Sequence, residues 1–309
     1  MKYQWIIILS VISFLLSYFF LYKIELGNSY IFIFIFFYAF YKVSYEMGKS
    51  YYAIESLPLT NMGSFIAKIT ISSTIATLFA SFIGSSFITY YSINMLLIFS
   101  SFLFLLSVFF LVQTNYDKKI EKASFLEVFK GKKFKNSVIF FFHECFTVEK
   151  MIFPLYLYFY IERNIEFIGL YNFVVSIFSF SFIYFISKKM DKNKKDYLFL
   201  SAFSLACIFL LKVEVESIFF LLFLGMVEGI FSSMYEVGIE HDFYYTASHY
   251  KKAEYLLYNE FIRLLARFFF FFILFFLPDI IFMIFILALG ILFTSFISFD
   301  DGKGGYKED

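Results

Sequence analysis

The residues of this chain that could do chemistry are charged side chains set inside long apolar runs. One run carries His143, Glu144, Glu149 and Lys150, and another carries Glu228 near its middle. A charge at the centre of a hydrocarbon layer costs about 3 kcal/mol or more, so such groups face one another or a water-filled space. Counted from Ser137 at ~1.5 Å per residue, Glu149 and Lys150 lie roughly 20 Å in, and Glu228 reaches a similar depth in its own run. Glu149, Lys150 and Glu228, with Glu144 close by, are therefore expected to border a polar midplane site. A carboxylate held out of water there could carry a proton. The competing expectation is structural: Lys150 neutralises Glu149 or Glu228 in a buried pair and contributes helix register alone.

A second constellation is Glu260, Arg263 and Arg267, spaced i, i+3 and i+7 on one helix face. Arg267 is deep enough to need a partner, and Glu236 or Glu240 on the preceding run could supply it. A salt-bridge network that gates one end is one reading, and snorkelling of long basic side chains to the interface is the other. Pro154 follows Lys150 by four positions, where its ring disrupts the carbonyl of that residue and bends the helix. Small residues repeat at fourfold spacing at Ser72, Ala76, Ala80 and Gly84, and again at Gly225, Gly229 and Ser233. Such stripes let helix backbones approach closely, which predicts two packing seams. Their hydroxyls could instead line a polar path, or bond back to their own helix.

Enzyme chemistry finds little support. His143-Glu144 opens a zinc-protease-like pair, but position 147 is Thr where a second His is required. Glu240-His241-Asp242, with His249 nearby, lies in a predicted loop where adjacent polar residues are solvated. No catalytic residue, metal ligand or cofactor is assigned, and an intramembrane hydrolase is carried only as a third reading. A Gly-rich phosphate loop is missing from the sequence, which argues against ATP-driven work by this chain alone.

The elements that must position these groups follow from composition. Of 309 residues, 61% are hydrophobic and 17% charged, against about 25% charged in ordinary soluble domains. Gly at 13, Pro at 3 and Cys at 2 exclude collagen-like and disulfide-scaffold chains. Disorder is excluded by the apolar content. Cys145 and Cys207 both sit in apolar runs and read as small buried residues. The remaining class is an all-α, polytopic membrane protein. About ten transmembrane helices are predicted, at 3–22, 29–45, 62–83, 92–112, 137–161, 167–186, 197–211, 217–239, 254–277 and 280–299. Unbroken runs such as Ile31 to Phe37 lack the alternation of barrel strands.

With the N-terminus inside, 19 Lys and Arg fall in inner segments. Only Lys23, Arg163 and Lys212 fall outside. That bias predicts a multi-pass protein of the cell (cytoplasmic) membrane with both termini cytoplasmic. The first run has no small-residue cleavage site after it, so an uncleaved anchor is expected. The chain divides into a four-helix bundle at 1–116, a basic cytoplasmic loop at 117–136, a six-helix bundle at 137–299 and a polar tail at 300–309. The basic loops meet the anionic inner leaflet, so the lipid bilayer is an expected partner and nucleic acid is not.

Three local features resemble the major facilitator superfamily of secondary transporters. The segment Ile186-Ser187-Lys188-Lys189-Met190-Asp191-Lys192-Asn193-Lys194-Lys195 is similar to that family's signature loop, with Asp191 and the lysines in place and the leading Gly absent. The stretch from Ala253 to Arg263 resembles the opening of the penultimate helix, and the charge pattern of the last six helices is similar to the C-terminal half. The resemblance implies an MFS-like fold whose first half is short by two helices. It also implies movement of a small solute by alternating access, with Glu149, Lys150, Glu228 and Glu144 as substrate or proton site. Glu236, Glu260, Arg263, Arg267 and Asp191 would then be gate or ion-pair residues. The alternative from a different class is a degenerate, non-transporting scaffold or subunit, working as a homo-oligomer or with a partner subunit.

Overall fold

An apolar backbone out of water must satisfy every N–H and C=O within its own segment, so these long apolar runs form helices. The computed structural model describes residues 3–23, 29–56, 62–113, 134–249, 252–276 and 279–300. Among them no strand occurs, and nine α-helices follow in order: α1 (Tyr3–Tyr22), α2 (Ser29–Ser56), α3 (Met62–Tyr90), α4 (Ile93–Gln113), α5 (Phe134–Tyr156), α6 (Ile165–Glu214), α7 (Ile218–His249), α8 (Lys252–Phe276) and α9 (Ile280–Asp300). A π-helical turn, Leu157–Ile161, continues α5.

Among the described residues five segments are long and apolar enough to cross a membrane: Trp5–Tyr22, Phe65–Tyr90, Ile165–Ile183, Tyr197–Glu214 and Ile218–Tyr244. They fit a multi-pass membrane protein. Over the described residues α4 and α9 are apolar but shorter, at Ile93–Ser107 and Ile280–Phe296. Residues 117–133 of the predicted basic loop and 301–309 of the predicted tail lie outside the described residues.

The sixth and seventh predicted spans form one run of helical backbone, α6, which is 50 residues long. A straight helix of that length would measure about 75 Å, far more than one bilayer. It is not straight. Lys212 Nζ lies 5.5 Å from the centre of the Tyr171 ring, whereas 41 residues of straight helix would separate them by about 60 Å. The backbone therefore reverses direction between Tyr171 and Lys212, and its two ends lie side by side. Asp191 lies between the two apolar segments of α6, and its side chain lies outside the described ones.

The chain forms two compact units. The first comprises residues 1–56, 87–128 and 247–260. Its α1 buries Ile7, Ser10, Val11, Phe14 and Ser17, a single stripe at helical spacing. The serines keep that stripe satisfied by donating to their own helix, Ser10 to Ile7 O at 2.7 Å and Ser17 to Phe14 O at 2.7 Å. Against it lie α2 and α4, with the Phe14 ring centre 4.8 Å from Tyr41 and 4.1 Å from Phe104. Lys252 joins α8 to Glu55 of α2 at 2.5 Å.

The second unit comprises residues 57–86, 129–246 and 261–309. Here α9 packs on α5 and α6, with Gly290 set directly against the Cys145 thiol. The α7 seam forms as predicted: Gly225 meets the Tyr171 ring, and Gly229 meets the backbone of α6 at Val175 and Ser179. The stripe on α3 forms a seam at one end alone, where an added side-chain carbon at Gly169 of α6 would stand 2.7 Å from Ser85 Cβ and 3.2 Å from Ser81 O. Ser72, Ala76 and Ala80 are exposed, and a side-chain carbon added at Gly84 would have nothing within 4 Å. Its hydroxyls bond back along α3, Ser72 to Lys68 O and Ser81 to Thr77 O, each at 2.9 Å. Small residues permit close packing but do not compel it, and elsewhere α3 meets its unit through Thr70, whose hydroxyl lies 3.2 Å from Glu240 Oε2, and through Phe82.

Candidate functional site

All the charged groups of interest radiate from α5, and helical geometry decides which way each one goes. At about 100° per residue, His143 and Lys150 share one face, while Glu144 and Glu149 fall on either side of it. Sequence depth alone put Glu149 and Lys150 together. The periodicity separates them.

Glu149 turns toward α6 and α7, where it meets a cation that the sequence reading assigned to an outer loop. Lys212 Nζ lies 3.1 Å from Glu149 Oε1 and 2.8 Å from Glu228 Oε2. Tyr171 donates its hydroxyl to the same Glu228 oxygen at 2.6 Å. The relative exposures are 0% for Lys212, 1% for Glu149 and 3% for Glu228, so the cluster is out of solvent. Aromatic rings complete the enclosure around the ammonium: Phe153 at 3.9 Å, Phe209 at 4.7 Å and Tyr171 at 5.5 Å to their centres. The second Glu149 oxygen, Oε2, is buried without a hydrogen-bond partner. With both carboxylates ionised, the box carries a formal charge of −1.

Local structure explains how these groups reach one another. Lys212 sits two residues before the end of α6, and its four-carbon stem extends inward along apolar side chains. The Tyr156 hydroxyl donates to Val213 O at 3.0 Å and pins that helix end to the end of α5. Pro154 lies inside α5, and the π-turn after Tyr156, closed by Glu162 N to Leu157 O at 2.9 Å, re-pairs the backbone beyond it. On α7, Gly229 lets the helix press onto α6 one residue after Glu228.

Lys150, expected at this site, is elsewhere. Its ammonium pairs with Glu236 Oε1 at 2.5 Å and sits 4.1 Å above the Phe146 ring, with 40% of its side chain exposed. Glu144 turns to the opposite flank of α5 and meets α8: Arg267 Nε lies 2.6 Å from Oε2, and Arg263 Nε lies 3.7 Å from Oε1. The partner of Arg267 is thus Glu144 rather than Glu236 or Glu240. The Arg263 guanidinium also stacks near Phe243 at 5.1 Å and Phe140 at 5.4 Å. Glu260 is buried on α8 in the first unit. Arg267→Ala is expected to lower stability by about 1–3 kcal/mol, because it strips a charged hydrogen bond from a buried carboxylate. Thermal denaturation in detergent would show it, and Lys150→Ala should shift the midpoint less.

The zinc-protease-like pair is divided in the same way. Glu144 is held by the arginines, while the His143 ring lies 5.5 Å from Tyr235 with its Nδ1 buried and unpartnered. Among the described residues no group of three or more His, Cys, Asp or Glu side chains could hold a metal ion. The side chain of His249 lies outside the described ones.

The chain matches no protein-family model, and no curated protein matches its sequence. The functional reading therefore rests on the residues themselves.

Sequence reasoning missed Lys212, because it closes an apolar run and precedes Val213-Glu214-Val215-Glu216, as a loop cation would. A charge count offered the missing signal. Two deep carboxylates, Glu149 and Glu228, require more compensation than one lysine beside them on the helix can give.

Proposed function

We propose that this protein is a secondary transporter that moves a small solute across the cytoplasmic membrane by alternating access, with coupling to protons. The observation that carries the reading is the closed box of Glu149, Glu228, Lys212 and Tyr171, three of whose members stand on segments long and apolar enough to cross a membrane. Buried ion pairs are poor sources of stability, since desolvation offsets most of the attraction. Intramembrane carboxylates that meet a cation mark solute and proton pathways. The box draws on α5, both arms of α6 and α7, so a rearrangement of any of these helices changes how it is filled. Glu144, Arg263 and Arg267 form a second charged cluster nearer the other end of α5, and we assign it the role of gate. In this proposal the chain has ten spans in a facilitator-like plan of four and six helices, with both termini cytoplasmic.

Reconstitution in liposomes containing a pH-sensitive dye tests the reading. A panel of small solutes should include some whose addition drives a proton flux, and Glu228→Gln should reduce that flux about tenfold or more, as loss of a proton carrier requires. Wild type and variant equally silent toward every solute would overturn it. The topology has its own test. A green fluorescent protein fused after Asp309 should fluoresce, while a periplasm-dependent alkaline phosphatase fused there should be inactive.

One observation favours a second reading. The exposed small-residue face of α3 is the kind of surface that pairs helices, which would suit a scaffold or subunit that associates with a second copy or a partner.

A further inference from the structure

We infer that the box around Lys212 is a receptacle for a primary ammonium group, which the chain fills with its own lysine when no solute is present, so that the solute is a small organic amine. This inference rests on the transport reading and names the substrate class of the same site.

The contents of the box define its chemistry. Two carboxylates and a tyrosine hydroxyl surround the ammonium, and the faces of Phe153, Phe209 and Tyr171 close over it. Carboxylates satisfy the N–H donors of an ammonium, and aromatic faces attract its charge once water is excluded. Lys212 occupies the box as a tethered primary amine and shows that the cavity accepts one. The unpartnered Glu149 Oε2, on a residue 1% exposed, leaves acceptor capacity that Lys212 does not use.

The occupant is also the one group there that can leave without unfolding a helix. It is anchored two residues from the end of α6, followed at once by exposed Glu214 and Glu216. Rotation about its four side-chain bonds would carry the ammonium outward toward those acids. The same end of the unit holds Glu162 and exposed Glu166 against Arg163, so the approach carries an excess of negative charge and concentrates cations.

A tethered counter-ion solves a specific difficulty of such a site. An emptied box would leave two carboxylates facing each other out of water, with the cost of their desolvation uncompensated. Lys212 returning to the box removes that cost on the leg without solute. Incoming amine and lysine exchange places, and that exchange itself leaves the buried charge unchanged.

Binding of radiolabelled n-propylammonium to the purified full-length protein in nanodiscs tests the inference, because n-propylammonium matches the part of the lysine side chain that alanine lacks. Wild type should bind it saturably, and Glu149→Gln should bind about tenfold more weakly or worse. Lys212→Ala should bind about tenfold more tightly, having no lysine to displace, and n-propylammonium should raise its melting temperature where equal concentrations of KCl or 1-propanol do not. If Lys212→Ala does not fold, the comparison of wild type with Glu149→Gln decides alone. Absence of saturable binding in wild type, or equal binding in wild type and Glu149→Gln, would overturn the receptacle. Amine binding without any solute-driven flux would instead overturn transport and leave the receptacle standing.

Discussion

Lys212→Ala in the absence of added amine is expected to be the most damaging single change in the protein, lowering its stability by about 3–5 kcal/mol. The substitution removes a fully buried ammonium and leaves Glu149 and Glu228 facing each other, both within hydrogen-bond distance of the atom that has gone. It also leaves a void between Phe153 and Phe209, whose rings pack against the lysine head. A drop in the melting temperature of the detergent-solubilised protein, accompanied by poor expression, is the expected readout. The triple variant Lys212→Met, Glu149→Gln, Glu228→Gln should recover most of the loss. A neutral cluster of similar volume carries no desolvation penalty, and Tyr171 can still donate to the amide oxygen. That recovered protein should nevertheless be inert in the flux assay. A single variant with wild-type stability would show that the carboxylates are compensated from elsewhere.

The sequence reading and the structure agree where one dominant force decides and part where several compete. Apolar run length is such a force, and it marked out the helices: α1, α4 and α9 lie within a residue or two of their predicted bounds. Charge-rich ends were harder. The second run was cut at residue 45, yet α2 continues to Ser56, because Lys42, Glu46 and Lys49 pair with one another along the helix instead of ending it. The same habit misplaced Lys212, where a helix end was inferred from a charge that is in fact buried. At the site, the depths of Glu149 and Glu228 were legible from residue counting, and both belong to the box. The partner was not legible, because depth is one coordinate and azimuth another. Glu149 and Lys150 are adjacent in sequence, so they point about 100° apart, and here they reach different partners, Lys212 and Glu236. His143 and Glu144 diverge for the same reason. The α3 stripe had the composition of a seam throughout, yet among the described residues it is its Ser81 to Ser85 end that meets a close neighbour, Gly169, a fact about tertiary packing that spacing cannot contain.

Gly229→Ala should disable the protein almost as thoroughly as loss of Lys212, through geometry alone. An added side-chain carbon at this position would fall on the Val175 carbonyl oxygen and stand 3.0 Å from Ser179 N and from Phe178 Cβ. Two of those neighbours are backbone atoms of a helix and cannot rotate away, so α6 and α7 must separate. Overpacking of this kind costs about 1–3 kcal/mol. The functional loss should exceed what that cost suggests. Glu228 precedes Gly229 on α7, while Tyr171, its hydrogen-bond donor at 2.6 Å, lies one turn from Val175 on α6. Separating the helices by even a fraction of an ångström lengthens that bond and the 2.8 Å contact to Lys212 together. Gly84→Ala is the matched control, since an added carbon there meets nothing within 4 Å. It should remain within about 1 kcal/mol of wild type, with alanine's better helix propensity favouring the variant. Melting temperature and solute-driven flux measured on both variants separate the two effects. If Gly229→Ala kept full flux, the contact between α6 and α7 would not be what positions Glu228, and the site would owe its geometry to Lys212 alone.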